Sequence, residues 1–260
     1  DYTIDEPDWQ PDVYVQKGLP VVKTLNWLTL NFVPSINVPP DAWIDWDAVG
    51  ERFITAGEMH PKGLKARTKT VVRYADNLWE GKWHDGSKLS LADFMFSFIL
   101  GFDRANPKSP IFDEAAVPAL RTFMSHFRGA RILEKNPLVV EIYSDQIFPD
   151  AESIAATRAA DFYTNVPWHE LAIGVLAERN RQLAFSASKA DRLKVEWLSY
   201  ISGPSLAVLD RQLAAALKEG FVPYRNTLGE YSSQQEAVER YEKLHAWRQA
   251  AGSESYWHEV

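Results

Sequence analysis

Cysteine is missing from this chain of 260 residues, which removes disulfides, thiolate-bound zinc, iron–sulfur clusters and thiol nucleophiles together. No apolar run approaches the roughly 18 residues that a membrane-spanning helix needs. Positive charge is in deficit: 28 Lys and Arg stand against 35 Asp and Glu, a net charge of −7. That balance argues against nucleic acid as a partner, because phosphate binding needs clustered cations. Familiar catalytic patterns are absent as well. His169-Glu170 has no second His four residues after the first, as a zinc-protease helix requires, and there is no nucleophile elbow, Walker loop or dinucleotide fingerprint. We therefore expect no catalysis, no cofactor and no metal. Asp1-Tyr2-Thr3 carries neither an initiator Met nor a leader pattern, as expected of a processed product or an excised piece.

What the chain has in excess is aromatic side chains: 10 Trp, 10 Tyr and 13 Phe. Such rings serve as core, interface or ligand platform. With 46% hydrophobic and 24% charged residues, the composition is that of an ordinary globular protein.

Residues 1–40 are rich in Pro around a β-favouring stretch at 21–33, which predicts one strand flanked by extended chain. Over 41–54, Trp43, Trp46, Val49, Phe53 and Ile54 recur at helical intervals behind a possible Asp41 cap, and predict a short amphipathic helix. A basic loop is expected over 57–69 and a strand over 70–74. Ser90 and Asp93 form a variant capping box. Behind it, Leu91, Phe94, Met95, Phe98, Ile99 and Phe102 make a continuous apolar stripe, the clearest helix in the chain. A helix over 114–127 and a hairpin of 130–134 with 138–143 around Lys135-Asn136-Pro137 follow. Further helices are expected at 151–160, 168–184, 189–201, 205–219 and 233–251, the last stopped by Gly252. The fold class is α+β: a small sheet with packed helices over 1–150, then a mostly helical part over 151–260.

Candidate chemistry is thin. The carboxylate pairs Asp45/Asp47 and Glu80/Asp85 suit a glycosidic bond in principle, although 35 acidic residues make chance pairs common. His84-Asp85 favours holding a turn over metal binding or acid–base work. Trp79 and Trp83 favour core rings over ligand-stacking platforms.

The run Lys82-Trp83-His84-Asp85-Gly86-Ser87-Lys88-Leu89-Ser90-Leu91-Ala92-Asp93-Phe94-Met95-Phe96-Ser97-Phe98 resembles the signature k-W-H-D-G-x-p-[LF]-[TS]-A-x-D-V-x-F-S-[FW] of the family 5 extracytoplasmic solute-binding proteins of ABC importers. It departs at Leu91-Ala92 and at Phe94. Ser109-Pro110 and the hairpin over 132–143 agree in order, so the resemblance covers about residues 70–145. Members of that family are longer, two-lobed proteins that bind dipeptides, oligopeptides, nickel chelates or oligosaccharides, and they carry a downstream G-T-G-P-[YF] motif that this chain lacks. The resemblance therefore implies a subdomain of a two-lobed periplasmic-binding-protein-like fold, cut from a larger protein. It further implies a periplasmic or extracytoplasmic location, a small-molecule, peptide or oligosaccharide ligand, an ABC permease as partner, and membrane association only through a lipid anchor outside this chain.

Within the signature, Trp83, His84, Asp85, Gly86, Ser90 and Asp93 are expected to be structural, specifying a helix docked on a sheet. Ligand contacts implied by the resemblance fall on Ile111, with Phe112 as a displaced alternative and Trp83 as a third candidate. Two other classes stay open: a carbohydrate-active hydrolase or oligosaccharide-binding module, and a protein-interaction domain over 151–260.

Overall fold

The computed structural model describes residues 2–6, 28–33, 35–148, 150–250, 255 and 256. It is α+β, with a small sheet and packed helices. The chain groups into two compact units. The first comprises residues 1–47, 53–78 and 121–163, and the second 48–52, 79–120 and 164–260. Residues 79–120, which precede the expected boundary near 150, thus group with the C-terminal helices.

In the first unit the strands are β1 (Tyr2–Glu6), β2 (Leu28–Phe32), β3 (Ile36–Val38), β4 (Trp43–Asp47), β5 (Arg52–Thr55), β6 (Leu64–Ala66), β7 (Thr68–Arg73), β8 (Phe127–Lys135) and β9 (Leu138–Ser144). Seven of them form one sheet in the order β2-β1-β7-β9-β8-β4-β5, and β3 pairs with β6. The hairpin β8–β9 is the expected one. β9 is buried along its whole length, which explains its unbroken apolar run Leu138-Val139-Val140. Helix α4 (Ala151–Asp161) is capped by Asp150, whose carboxylate accepts from Ser153 N at 2.7 Å. Its Arg158, buried, donates to Ser144 Oγ at 2.7 Å and Gln146 Oε1 at 2.8 Å and pairs with Asp161 at 3.1 Å. A buried guanidinium is tolerated only when its donors are satisfied in this way.

Three expectations are corrected here. The segment 41–54 is not a helix but the two strands β4 and β5. Its aromatics, three residues apart like those on a helix face, are instead partners across a strand pair. Trp43 stacks on Phe53 at 4.8 Å, and Trp46 meets the same ring edge-on at 5.0 Å. Asp41 caps nothing there and takes Arg131 at 3.1 Å. The expected loop over 57–69 holds the one-turn helix α1 (Ala56–Met59), β6 and the start of β7. Among the described residues, the N-terminal 40 contribute the three strands β1, β2 and β3 where one was expected; residues 7–27 lie outside the described residues, as does most of the expected strand over 21–33.

The second unit is helical: α2 (Leu91–Asp103), α5 (Trp168–Arg179), α6 (Ala187–Leu193), α7 (Ser205–Glu219), α8 (Arg225–Leu228) and α9 (Gln234–Gln249). Between α2 and α5 the chain also forms α3 (Val117–His126), preceded by a 3₁₀ turn at Glu114–Ala116. α2 packs against α5 and α8 within its unit, so the signature helix is grouped with helices and not with the strands. Met95, Phe96 and Ile99 are fully buried, each worth about 1.5–3 kcal/mol of apolar burial. α5 and α6 are shorter than expected. α5 ends before Arg181, which has φ +55°, and α6 stops where Lys194 turns left-handed at φ +57°. The short parallel strands β10 (Leu183–Ala184) and β11 (Glu196–Trp197) follow the two helices. The expected helix 205–219 is found as drawn, with Gly220 left-handed behind it. α9 is capped by Ser233, and Gly252 lies outside the described residues.

Gly129 fixes how closely β8 and β4 approach. Its φ is +150°, and a Cβ there would stand 3.2 Å from Ala42 Cβ and Val38 Cγ1 and 3.3 Å from Ile44 Cγ2. Gly129→Ala is therefore expected to destabilise the protein by about 1–3 kcal/mol. Urea unfolding followed by tryptophan fluorescence measures this; a change below about 0.5 kcal/mol would show that β8 moves aside freely.

Candidate functional site

The signature begins with a turn. Lys82 and Lys88 form a β-bridge, Trp83 N donates to Ser87 O at 2.9 Å, and Gly86 N donates to Trp83 O at 2.9 Å. Gly86 sits at φ +80°, a conformation that glycine adopts without steric penalty. Asp85 closes the turn on itself, its Oδ1 accepting from Ser87 N at 2.8 Å and Ser87 Oγ at 2.6 Å. Its other oxygen faces His169 Nε2 at 2.7 Å, and both side chains are fully buried. Burial alone would raise the Asp85 carboxyl, but the His169 hydrogen bond and charge, aided by Ser87, outweigh it and hold the group at about 2.

Beside this pair lies a second carboxyl. Glu170 is buried, with Oε2 3.8 Å from His84 Nε2, too long for a hydrogen bond. Burial first, then the charge of Asp85, push the Glu170 carboxyl well above its ordinary range. His84 packs against Trp247 at 5.0 Å, ring edge to face. The bland reading of His84-Asp85 as a turn clasp thus covers only part of the arrangement. Asp85 does hold the turn, and it also ties the turn to α5.

At the next step Ser90 and Asp93 form the expected capping box. Ser90 N donates to Asp93 Oδ2 at 2.7 Å, while Asp93 Oδ1 accepts from Trp168 N, the first residue of α5, at 2.9 Å. Arg240 Nη1 of α9 is 3.5 Å from the same oxygen. Arg240 also donates to Lys88 O at 2.7 Å and to Glu236 Oε1 at 3.2 Å. The sequence reading weighs His169-Glu170 only as an incomplete zinc-protease pattern and assigns neither these residues nor Arg240 to a site. The visible hint was a His-Glu pair on a segment, Trp168-His169-Glu170-Leu171-Ala172-Ile173, that is otherwise apolar.

The candidate ligand residues lie apart from one another in their surroundings. Trp83 is half-buried, and its indole N–H is enclosed without a partner among the described residues. Ile111 is fully buried, with its N–H held by Ser109 Oγ at 3.1 Å. Ser109 in turn donates to Asp103 Oδ2 at 2.6 Å, an oxygen shared with Tyr224 Oη at 2.8 Å. The cavity at Ile111 has a volume of about 20 Å³, space for about one water. Phe112 is half-buried. Of the carboxylate pairs, Asp85 is enclosed and paired, Glu80 is exposed in a 3₁₀ turn at Leu78–Glu80, and Asp45 and Asp47 are half-buried on β4.

Among the described residues no group of three His, Asp or Glu side chains converges closely enough to hold a metal ion, and no helix is long and apolar enough to cross a membrane. The chain matches no protein-family model, and no curated protein matches its sequence.

Two opposed pH dependences follow. Asp85 is held below its unfolded value, so its contribution is present above about pH 4 and is lost as pH falls toward 2; the expected size is on the order of 2 kcal/mol. Glu170 is held above its unfolded value of 4.5, so its contribution is present below that pH and is lost as pH rises. Glu170→Gln is expected to remove the loss above pH 4.5 while leaving the acid limb in place. Urea unfolding from pH 3 to 8 tests both; an unchanged alkaline limb in the variant would mean that Glu170 ionises freely.

Proposed function

We propose that this chain is a non-catalytic, solute-binding portion of an ABC importer's extracytoplasmic binding protein, of the family 5 type, serving peptides or related solutes. The observation that carries the reading is the seventeen-residue run 82–98. Its turn, box and apolar stripe occur in the order of the family signature, and its two carboxylates, Asp85 and Asp93, are spent on scaffold bonds. Asp85 holds His169, and Asp93 holds two helix N-termini. A receptor of this kind works by closing on its solute and presenting it to a permease, which requires rigid elements and no reactive group. The chain would act in the periplasm or outside the cell, where such receptors meet their cargo.

The hydrolase alternative needs two carboxylates roughly 5–9.5 Å apart across a cleft. Of its sequence candidates, the pair Glu80 with Asp85 has one member enclosed and bonded to His169, which speaks for the binding reading.

Thermal unfolding in the presence of di- and tripeptides, oligosaccharides and nickel chelates tests the proposal. A solute at about 100 times its dissociation constant should raise the melting temperature by about 5–10 °C without being consumed. Absence of any shift across the panel, or turnover of a peptide or glycoside, would contradict it.

A further inference from the structure

A second place in the molecule has the dimensions of a small-molecule site and lies wholly within the sheet-bearing unit. It is a pocket of about 350 Å³ lined by Ile44, Asp45, Met59, His60, Leu64, Met124, Phe127 and Arg128, at the lower end of the range in which small ligands bind. Neither the signature nor the proposed transport role bears on it.

Its walls are apolar and deformable. Ile44 and Phe127 form buried parts of the lining, and Phe127 is braced by a stacked Phe123 ring at 4.5 Å. Met59 and Met124 are two of the three methionines in the whole chain, and Met59 is half-exposed. Unbranched thioethers fit themselves to irregular apolar guests and make favourable contacts with aromatic rings. A break in the β8–β9 register between Phe127 and Gly129 leaves Arg128 as the extra residue, the kind of bulge that re-aims a side chain.

The charges around the pocket decide what enters. Arg128 is already engaged: Nη2 pairs with Asp145 Oδ2 at 2.6 Å and Nη1 donates to Phe127 O at 2.8 Å. Asp45 has no such countercharge. Its one bond among the described residues comes from Trp46 N at 2.8 Å. His60, exposed beside it, offers an imidazole that can accept a proton donor. Lys62 and Lys65 are exposed and do not line the pocket. The lining is therefore apolar with one uncompensated carboxylate.

We infer that this pocket binds small amphipathic amines, the ammonium on Asp45 and the apolar body between Met59, Met124 and Phe127. An aliphatic or aromatic carboxylate of the same size is disfavoured by Asp45, which would face it with like charge while the lining Arg128 is engaged by Asp145.

Phenethylamine and phenylacetate share a ring and differ in the sign of their charge. Titration of the whole protein with each, followed by the methionine ε-methyl NMR signals, tests the inference. Phenethylamine should shift Met59 and Met124 saturably and leave Met95, buried in the other unit, unmoved. Phenylacetate should bind at least about ten-fold more weakly, and Asp45→Asn should weaken the amine by a similar factor, as for loss of a charge-assisted bond. The unchanged Met95 signal and the variant's melting temperature show that the fold is intact. Equal binding of amine and acid, amine binding unaffected by Asp45→Asn, or shifts that bypass Met59 and Met124 would each overturn the inference.

Discussion

One buried carboxylate organises the helical unit. Asp93 is fully enclosed, yet it accepts from Ser90 N at the start of α2 and from Trp168 N at the start of α5, with Arg240 of α9 at 3.5 Å. Two helix N-termini present their free N–H groups and positive dipole ends to the same anion. Enclosing a charge costs several kcal/mol unless its lone pairs are used and a countercharge is near; here both conditions are met. Asp93 therefore sets where α5 begins relative to α2, and Arg240 brings α9 to the same point. Its guanidinium lies 5.9 Å from the Trp168 ring and donates to Lys88 O in the signature turn.

The Asp85–His169 pair extends the same logic one residue along α5. With Asp93 on Trp168 and Asp85 on His169, consecutive residues at the head of α5 are gripped by two carboxylates from the signature. Glu170 follows immediately, its carboxyl pushed well above the ordinary range by burial and by Asp85. These side chains face inward and are consumed, so what the signature supplies is a rigid platform rather than a ligand surface. That is the physical content behind reading the chain as a receptor element: recognition would fall to surfaces that this platform holds in place.

Helices with strong local signals were legible from sequence. The Ser90/Asp93 box with its stripe, and the segment 205–219 ended by Gly220, were read within a residue or two of their bounds, because caps and periodicity are local. The strands β4 and β5 were misread because Trp43, Trp46 and Phe53 have helical spacing, while the stacking that makes them strand partners exists only after the chain folds back. The pairing of His169 was hidden for a related reason: its partner Asp85 is 84 residues away, and no spacing rule spans that distance. The pocket at Asp45 was equally hidden, since it depends on a bulge in β8 and on methionines from two separated segments.

The most direct test of this account is the stability of Asp93→Asn. The amide keeps the size of the carboxylate but turns an NH₂ toward one of the N–H donors and removes the charge that faces Arg240. Equilibrium urea unfolding should show a loss of about 3 kcal/mol, with exchange protection lost together at the N-terminal turns of α2 and α5. A loss below about 0.5 kcal/mol, or deprotection of α2 alone, would contradict the claim that one carboxylate holds these helices together.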